Sequence, residues 1–389
     1  MAFTLDEVAF LAAHAPEIAD ATARLELTRA STLSDAATLR ERFGGHGRAV
    51  AELVRARRSA AAKFPATWLT DHDAAQQATP SVVARVRAAR LREQLGAGAL
   101  IHDVTCSIGT EGASVRAAGL GYLGSDLDAP RLAMARHNLG DAWLVRADAL
   151  HPVSRGADAV VADPARRAGG RRITRPDQLL PPLPDLVEAW RGRELAVKCA
   201  PGLDFSEWEG LVSLVSVDGA VKEACLYTPG LSGGTRREAV MVSGGEVDRL
   251  TDAGGEAADA VTAGAPGRFI LDPDGAVVRA GLVRHYAARE GLWMLDERIA
   301  YLTGDRLPAG RTGFPFIEQV PLKKLKPALA AHGAGSLEIL VRGVDVDPDD
   351  LRKKLKLKGR RPMAVVCTRI GSQGVALICG PRTDGAENR

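Results

Sequence analysis

Cysteine is scarce and scattered. The five residues Cys106, Cys199, Cys225, Cys367 and Cys379 contain no C-x-x-C pair. Such spacing argues against the common zinc modules and against a disulfide framework, and predicts a reducing compartment and no metal. A long hydrophobic run is also missing, for no stretch approaches the ~18 apolar residues that a membrane span needs. The opening MAFTLDEVAFLAAHAPEIAD carries acids and lacks the basic start of a secretory leader. Together these absences predict a cytoplasmic protein with no membrane attachment. Charge of one sign is lacking too, since 51 basic and 48 acidic residues leave a formal net charge of +3. With no global field to attract a polyanion, any nucleic-acid footprint must be a local patch. None of the 8 histidines forms a metal-spaced cluster, and His137 in ARHN is expected on a helix face.

What is present is ordinary for a globular chain: 46% hydrophobic and 25% charged residues. A length of 389 residues exceeds one ordinary core and predicts two or three units. Residues 1–95 read as a helical region, rich in Ala, Leu, Glu and Arg, with apolar positions such as Val82, Val83, Val86 and Leu91 at helical spacing. From 96 to 245 short apolar runs alternate with helical segments, the mark of βαβ units and a parallel sheet. The closing run of strand candidates (LVSLVSVD, VKEACLY, REAVMVSG) predicts an antiparallel edge. Residues 246–315 read as a variable linker and connecting region, with Gly, Ala and Asp concentrated over 245–268. Residues 316–381 form a small α+β pattern of their own.

The chemistry is expected in the alternating region. The first strand ends in DVTCSIGTEG, Asp103 to Gly112, where small residues let the backbone approach a ligand and a helix N-terminus follows. Its glycine spacing is not that of the nicotinamide fingerprint G-x-G-x-x-G. It resembles motif I of class I methyltransferases, D/E-x-G-x-G-x-G, with Thr105 and Ser107 in place of two glycines and Gly109 keeping the third. About twenty residues on, GYLGSDLDAP ends a second strand in Asp126, where an acid can bind both ribose hydroxyls of a nucleoside. Asp128 reads either as a helper or as the N-cap of the helix APRLAMARHN. VRADAL places Asp148 where the adenine amine is expected, and VVADPARR puts Asp163 and Pro164 beside the methyl group, as in motif IV. Asp103, Thr105, Ser107, Gly109, Asp126 and Asp148 are thus the candidate cofactor-binding residues, with S-adenosylmethionine the expected cofactor. Asp163 and Pro164 are the candidate catalytic pair.

For the acceptor the signals are local. Exocyclic-amine methyltransferases carry an aromatic residue after the motif IV proline to stack on the base. Ala165 and Arg166 stand there instead, so that support is absent. Arg166, Arg167, Arg171 and Arg172, with Arg175, form a basic loop beside the reactive centre, suited to phosphates or simply to solvent. In DPDDLRKKLKLKGRR, a helix is expected to carry Lys353, Lys354 and Lys356 among its cations, a stripe that fits a phosphate backbone or a helix C-terminus. Cys199 in VKCAPG invites a thiolate mechanism at pyrimidine C5, but reads better as the end of a buried strand. Lys198 and Pro201 are weaker candidates for the pocket wall.

Along nearly its whole length the chain resembles the actinobacterial class I methyltransferases with a C-terminal THUMP-like domain. The resemblance rests on FPATWLTDHDAAQQAT, DPARR, VKCAPGLD, DPDGAVVRAGLVRHYAAREGLWMLDERIAYLTGD and LEILVRGVDVDPDDLRKKLKLKG. It implies a Rossmann-like seven-stranded sheet, an N-terminal helical region and a small C-terminal α+β domain akin to those that bind tRNA or other RNA. It also implies that Gln77-Ala78-Thr79 closes over the cofactor. The expected function is methylation of RNA, tRNA or rRNA. Two rivals predict different behaviour: a small-molecule methyltransferase turns over without polymer, and an inactive fold binds RNA whether or not cofactor is present. Oligomeric state is not written in the sequence.

Overall fold

The computed structural model describes residues 3–385 other than 24, 27, 29, 166, 169, 170, 173 and 174, with the backbone alone at 167, 168, 171 and 172. Two compact units divide the chain. The first holds Met1–Val217, Lys222–Arg236 and Val242–Glu246; the second holds Asp218–Val221, Arg237–Met241 and Val247–Arg389.

The first unit begins with helices α1 (Leu5–Ala13), α2 (Ala15–Thr22), α3 (Thr32–Phe43), α4 (Gly47–Ser59), α5 (His72–Gln77) and α6 (Ser81–Leu95). Local chemistry fixes several starts. Thr4 and Glu7 make a reciprocal capping box on α1, and Asp71 caps α5 through the Ala74 N–H. The buried faces of these helices, including Leu11, Ile18, Leu39 and Leu53, share one apolar cluster with Ile101, Tyr122 and Val161 of the sheet. The helical region is therefore part of the sheet unit's core.

The sheet strands of this unit are β1 (Leu100–Asp103), β2 (Gly121–Asp126), β3 (Trp143–Arg146), β4 (Ala159–Ala162), β5 (Glu194–Cys199), β6 (Leu211–Val217) and β7 (Ala220–Tyr227). Their order is β3-β2-β1-β4-β5-β7-β6. β1 to β5 are parallel and β7 runs antiparallel to β5. Helices α7 (Thr110–Ala117), α8 (Ala129–Leu139) and α9 (Leu183–Ala189) make the crossovers. Every residue of β4 is buried, as a central parallel strand covered on both faces requires. The order reverses between β1 and β4, so the crevice beyond their C-terminal ends is where such a sheet binds its ligand.

Two strands follow, Arg237–Ser243 and Glu246–Thr251, and a short helix, Gly255–Asp259. The glycine-rich stretch expected as linker thus holds regular structure; Gly254, left-handed at φ 78°, starts that helix. The second unit has strands β8 (Phe269–Leu271), β9 (Trp293–Asp296), β10 (Ile299–Gly304), β11 (Thr312–Pro321), β12 (Ala334–Arg342), β13 (Arg361–Ile370) and β14 (Gln373–Cys379), in the order β9-β10-β8-β11-β14-β13-β12. Helices α10 (Gly275–Ala280), α11 (Val283–Glu290), α12 (Leu325–Ala331) and α13 (Pro348–Leu355) complete it. Alternation along β13 sends Met363, Val365 and Cys367 to the apolar cluster of α12 and α13, and Ala364 and Val366 to the opposite face.

The basic helix is shorter than its sequence suggests. α13 ends at Leu355, and Lys356 is a left-handed cap at φ 48°. The chain must leave the helix there because Gly359 packs against the backbone of Gly333, where an added Cβ would lie 2.0 Å from the Gly333 carbonyl oxygen. Lys356 and Lys358 accordingly lie beyond the helix, on the path to β13. No helix of the described residues is long and apolar enough to cross a membrane.

Candidate cofactor and reaction site

β1 delivers Asp103 to the crevice, and the following turn leads into α7. Two left-handed residues shape the turn, Ser107 at φ 48° and Gly109 at φ 90°. A side chain is excluded at Gly109, where a Cβ would approach Leu139 Cδ1 to 2.7 Å. Asp103 is buried; its Oδ1 accepts the Thr105 N–H (3.3 Å) and its Oδ2 the Tyr122 hydroxyl (3.3 Å). Burial, and then the Glu111 charge, push its pKa up to about 7.

The two residues that replace glycines have structural work. The Thr105 hydroxyl accepts the backbone N–H of Asp163 at 2.6 Å, which ties the turn after β1 to the end of β4. The Ser107 N–H donates to Asp126 Oδ2 at 2.8 Å, and its hydroxyl receives Arg131 at 3.3 Å. A glycine could supply neither hydroxyl.

Asp126 ends β2, half-buried, and its Oδ1 accepts the Asp128 N–H at 3.0 Å. Asp128 caps α8 through the Arg131 N–H (3.0 Å), the N-cap alternative weighed for it. After β3, Asp148 turns its Oδ1 to the Leu150 N–H (2.9 Å), and its Oδ2 stands 3.4 Å from the exposed His151 Nδ1. From α8, Asn138 reaches the N-terminal segment. Its Oδ1 accepts the Leu69 N–H (2.7 Å), and its Nδ2 donates to the carbonyls of Leu69 and Ile108 (both 3.0 Å).

Beneath the crevice runs a chain of buried charge. Lys198 of β5 places its Nζ 2.7 Å from Asp163 Oδ2, with the lysine buried and the aspartate side chain 25% exposed. Burial opposes the ammonium, but Asp163, Glu223 and Glu111 outweigh it and hold the lysine pKa above its ordinary value. Arg87 of α6 grips Glu111 (2.7 Å) and Glu223 (2.5 Å) with all three side chains buried. The two carboxylates likewise overcome burial and keep the guanidinium charged. The crevice thus gathers the carboxylates of Asp103, Asp126 and Asp163, the last of them backed by the Lys198 ammonium.

A relative from Mycobacterium tuberculosis, named as an S-adenosylmethionine-dependent methyltransferase, is 47% identical over 367 residues, covering 88% of this chain and 99% of the relative. The chain belongs to this family of S-adenosylmethionine-dependent methyltransferases. Residues 311–381 match the model of the family described as THUMP domain-like. The crystal structure of a protein assigned as a methyltransferase, from Porphyromonas gingivalis, shares the fold: TM-score 0.70 at 16% identity, over 98% of this chain and 99% of that one.

The expected sites fare unevenly within this methyltransferase. Hydrogen bonds link Asp103, Thr105 and Asp163 to one another and, separately, Ser107 to Asp126, with Gly109 and the buried Pro164 adjoining them in sequence. Arg166 lies outside the described residues. Arg167–Ala168 and Arg171–Arg172 pair as two short antiparallel strands, and the side-chain roles expected of these arginines lie outside what is described. Lys353, Lys354 and Lys356 are exposed in the second unit, with Lys353 Nζ 3.5 Å from Asp350. Cys199 is fully buried, which fits the strand reading and not a nucleophile. Among the described residues no group of three or more His, Cys, Asp or Glu is placed to hold a metal. Missed from sequence were Arg87, Glu111 and Glu223. Arg87 falls in a basic, helical-looking run that reads as solvated, and only its i−4 neighbour Val83 and i+4 neighbour Leu91, both buried, mark it as inward-facing.

Proposed function

We propose that the protein methylates RNA, with S-adenosylmethionine held over the ends of β1, β2 and β3. One observation carries the reading: Asp163 is fixed at the crevice by Thr105 through its backbone and by Lys198 through its carboxylate. The donor supplies an electrophilic methyl group on a sulfonium that is already a good leaving group. The residues present fit it. Asp103 faces the amino-acid ammonium, Asp126 takes the ribose diol with the lone pairs left by the Ser107 and Asp128 amides, and Asp148 receives the adenine amine. Asp163 orients the acceptor and accepts the proton it releases, while Pro164 holds the strand end rigid. Lys198 holds the Asp163 carboxylate in place through Oδ2.

Support for RNA comes from the THUMP-like segment and from the exposed cations Arg352, Lys353, Lys354, Lys356, Lys358 and Arg360, a local patch of the kind a phosphate backbone needs. The deciding experiment incubates the protein and methyl-labelled S-adenosylmethionine with total RNA from a strain lacking the gene, with DNA and small metabolites alongside. Label in one RNA size class is the expected result. Label in the metabolites alone, or none despite intact cofactor binding, would overturn the RNA reading.

A further inference from the structure

Behind the motif turn lies a cavity of about 330 Å³, lined by the 61–68 loop and the first two turns of α6 and of α7. Lys63, Trp68, Ser81, Arg85, Thr110 and Ser114 give it its polar character, and no carboxylate lines it among the described residues. Two helices begin here. Neither α6 nor α7 has a side-chain N-cap, so both leave first-turn N–H groups without the partner such ends usually take.

The lining side chains have unspent donors. Trp68 is 8% exposed and Ser114 7% exposed, yet neither the indole N–H nor the serine hydroxyl has a hydrogen-bond partner among the described residues. Neither atom is sealed in close packing either, and the open space both residues line is this cavity. Arg85 is exposed and has no ion pair among the described residues. Lys63 donates to the carbonyls of Ala75 (2.9 Å) and Gln76 (2.7 Å), which leaves one ammonium proton. Burial, and then the charge of Lys222, lower its pKa. Phe64 stacks on Trp68 at 5.7 Å and holds the indole in place.

A pocket of donors, two cations and two uncapped helix N-termini, with no acid, suits one chemical class. We infer that this cavity binds an oxyanion, and that its occupant is a phosphate of the RNA acceptor. The identity of that bearer rests on the RNA reading above; the preference for an oxyanion does not. Because α7 opens directly from the motif turn, a phosphate seated here would lie at the start of the helix that follows that turn.

The test uses the full chain saturated with S-adenosylhomocysteine, a fluorescent oligouridylate followed by anisotropy, and inorganic phosphate as competitor. Arg85→Gln is expected to weaken oligouridylate binding about tenfold, the worth of one charge-assisted hydrogen bond. Ser114→Ala should weaken it less, phosphate should compete with the parent protein better than with Arg85→Gln, and affinity for S-adenosylhomocysteine should stay unchanged. A tenfold loss of S-adenosylhomocysteine affinity in Arg85→Gln would assign the cavity to the cofactor's carboxylate and overturn the inference. So would oligouridylate binding that neither variant alters. If RNA is never methylated but the Arg85 effect and phosphate competition persist, the oxyanion site stands and only the RNA-methylation reading falls.

Discussion

The two units handle charge in opposite ways. The first buries Arg87, Asp103, Glu111, Lys198 and Glu223 as one interacting group. The second buries little charge: Asp296, whose carboxylate accepts the Arg298 and Gly371 amides, and Glu238, met by Arg249 at 3.0 Å. Its cations stand on the surface around α13. Buried ion pairs are weak sources of stability, since desolvation offsets their attraction. Concentrating them under the crevice makes sense as orientation of Asp163, whereas an exposed patch suits long-range attraction to a polyanion.

The sharpest way to break this comparison is to remove one buried cation. Arg87→Met leaves Glu111 and Glu223 buried without their partner and should cost about 3–5 kcal/mol in urea denaturation. Arg352→Ala, which removes an exposed pair with Asp349, should stay within about 0.5 kcal/mol. Equal losses would show that the two units do not differ as described.

Next in size are the crevice carboxylates. Asp126→Ala should lower S-adenosylmethionine affinity at least about a hundredfold by calorimetry, the cost of two hydrogen bonds to a charged group. Asp163→Asn should keep that affinity and reduce methyl transfer by about 10²–10⁴. Loss of cofactor binding in Asp163→Asn would move this residue from acceptor to cofactor.

A pH series tests Asp103. Its folded pKa, about 7, lies above the ordinary 3.8, so the folded chain holds a proton that the unfolded chain releases. Stability should therefore fall as pH rises from about 4 to 7, and Asp103→Asn should flatten that slope. On the proposed role of the carboxylate at the cofactor ammonium, affinity should fall about tenfold per pH unit as pH drops below 7. Asp103→Asn should show no such dependence.

The smallest effects belong to the surface patch. Lys353→Glu or Lys354→Glu should weaken RNA binding severalfold and reduce its salt slope by about 0.7–0.9 per lost phosphate contact, without changing stability or cofactor affinity. An unchanged salt slope would remove the patch from the RNA path.

The parallel βαβ layer and the strand-end positions of four candidate acids were legible because βαβ units repeat at regular intervals. Asp103, Asp126, Asp148 and Asp163 each follow a short apolar run, and β1 to β4 place them at the same edge. In sequence Thr105 and Ser107 are only departures from a glycine motif; their hydroxyls meet Asp163 and Arg131, residues further along the chain, so only the fold reveals the bonds. The same limit hid Arg87 and Glu223, which lie 136 residues apart. The end of α13 was misread because amphipathic spacing continues past Leu355, while the close approach of Gly359 to Gly333 is a long-range constraint.

Asn138 carries a last consequence. Its amide closes the Leu69 N–H, in the segment before α5, while also holding the Ile108 carbonyl of the motif turn. The exchange of one backbone proton for deuterium is thereby coupled to the turn proposed to hold the cofactor. Leu69 is a natural clock for that turn: its exchange should slow when the donor binds, and in Asn138→Ala it should run free of the ligand.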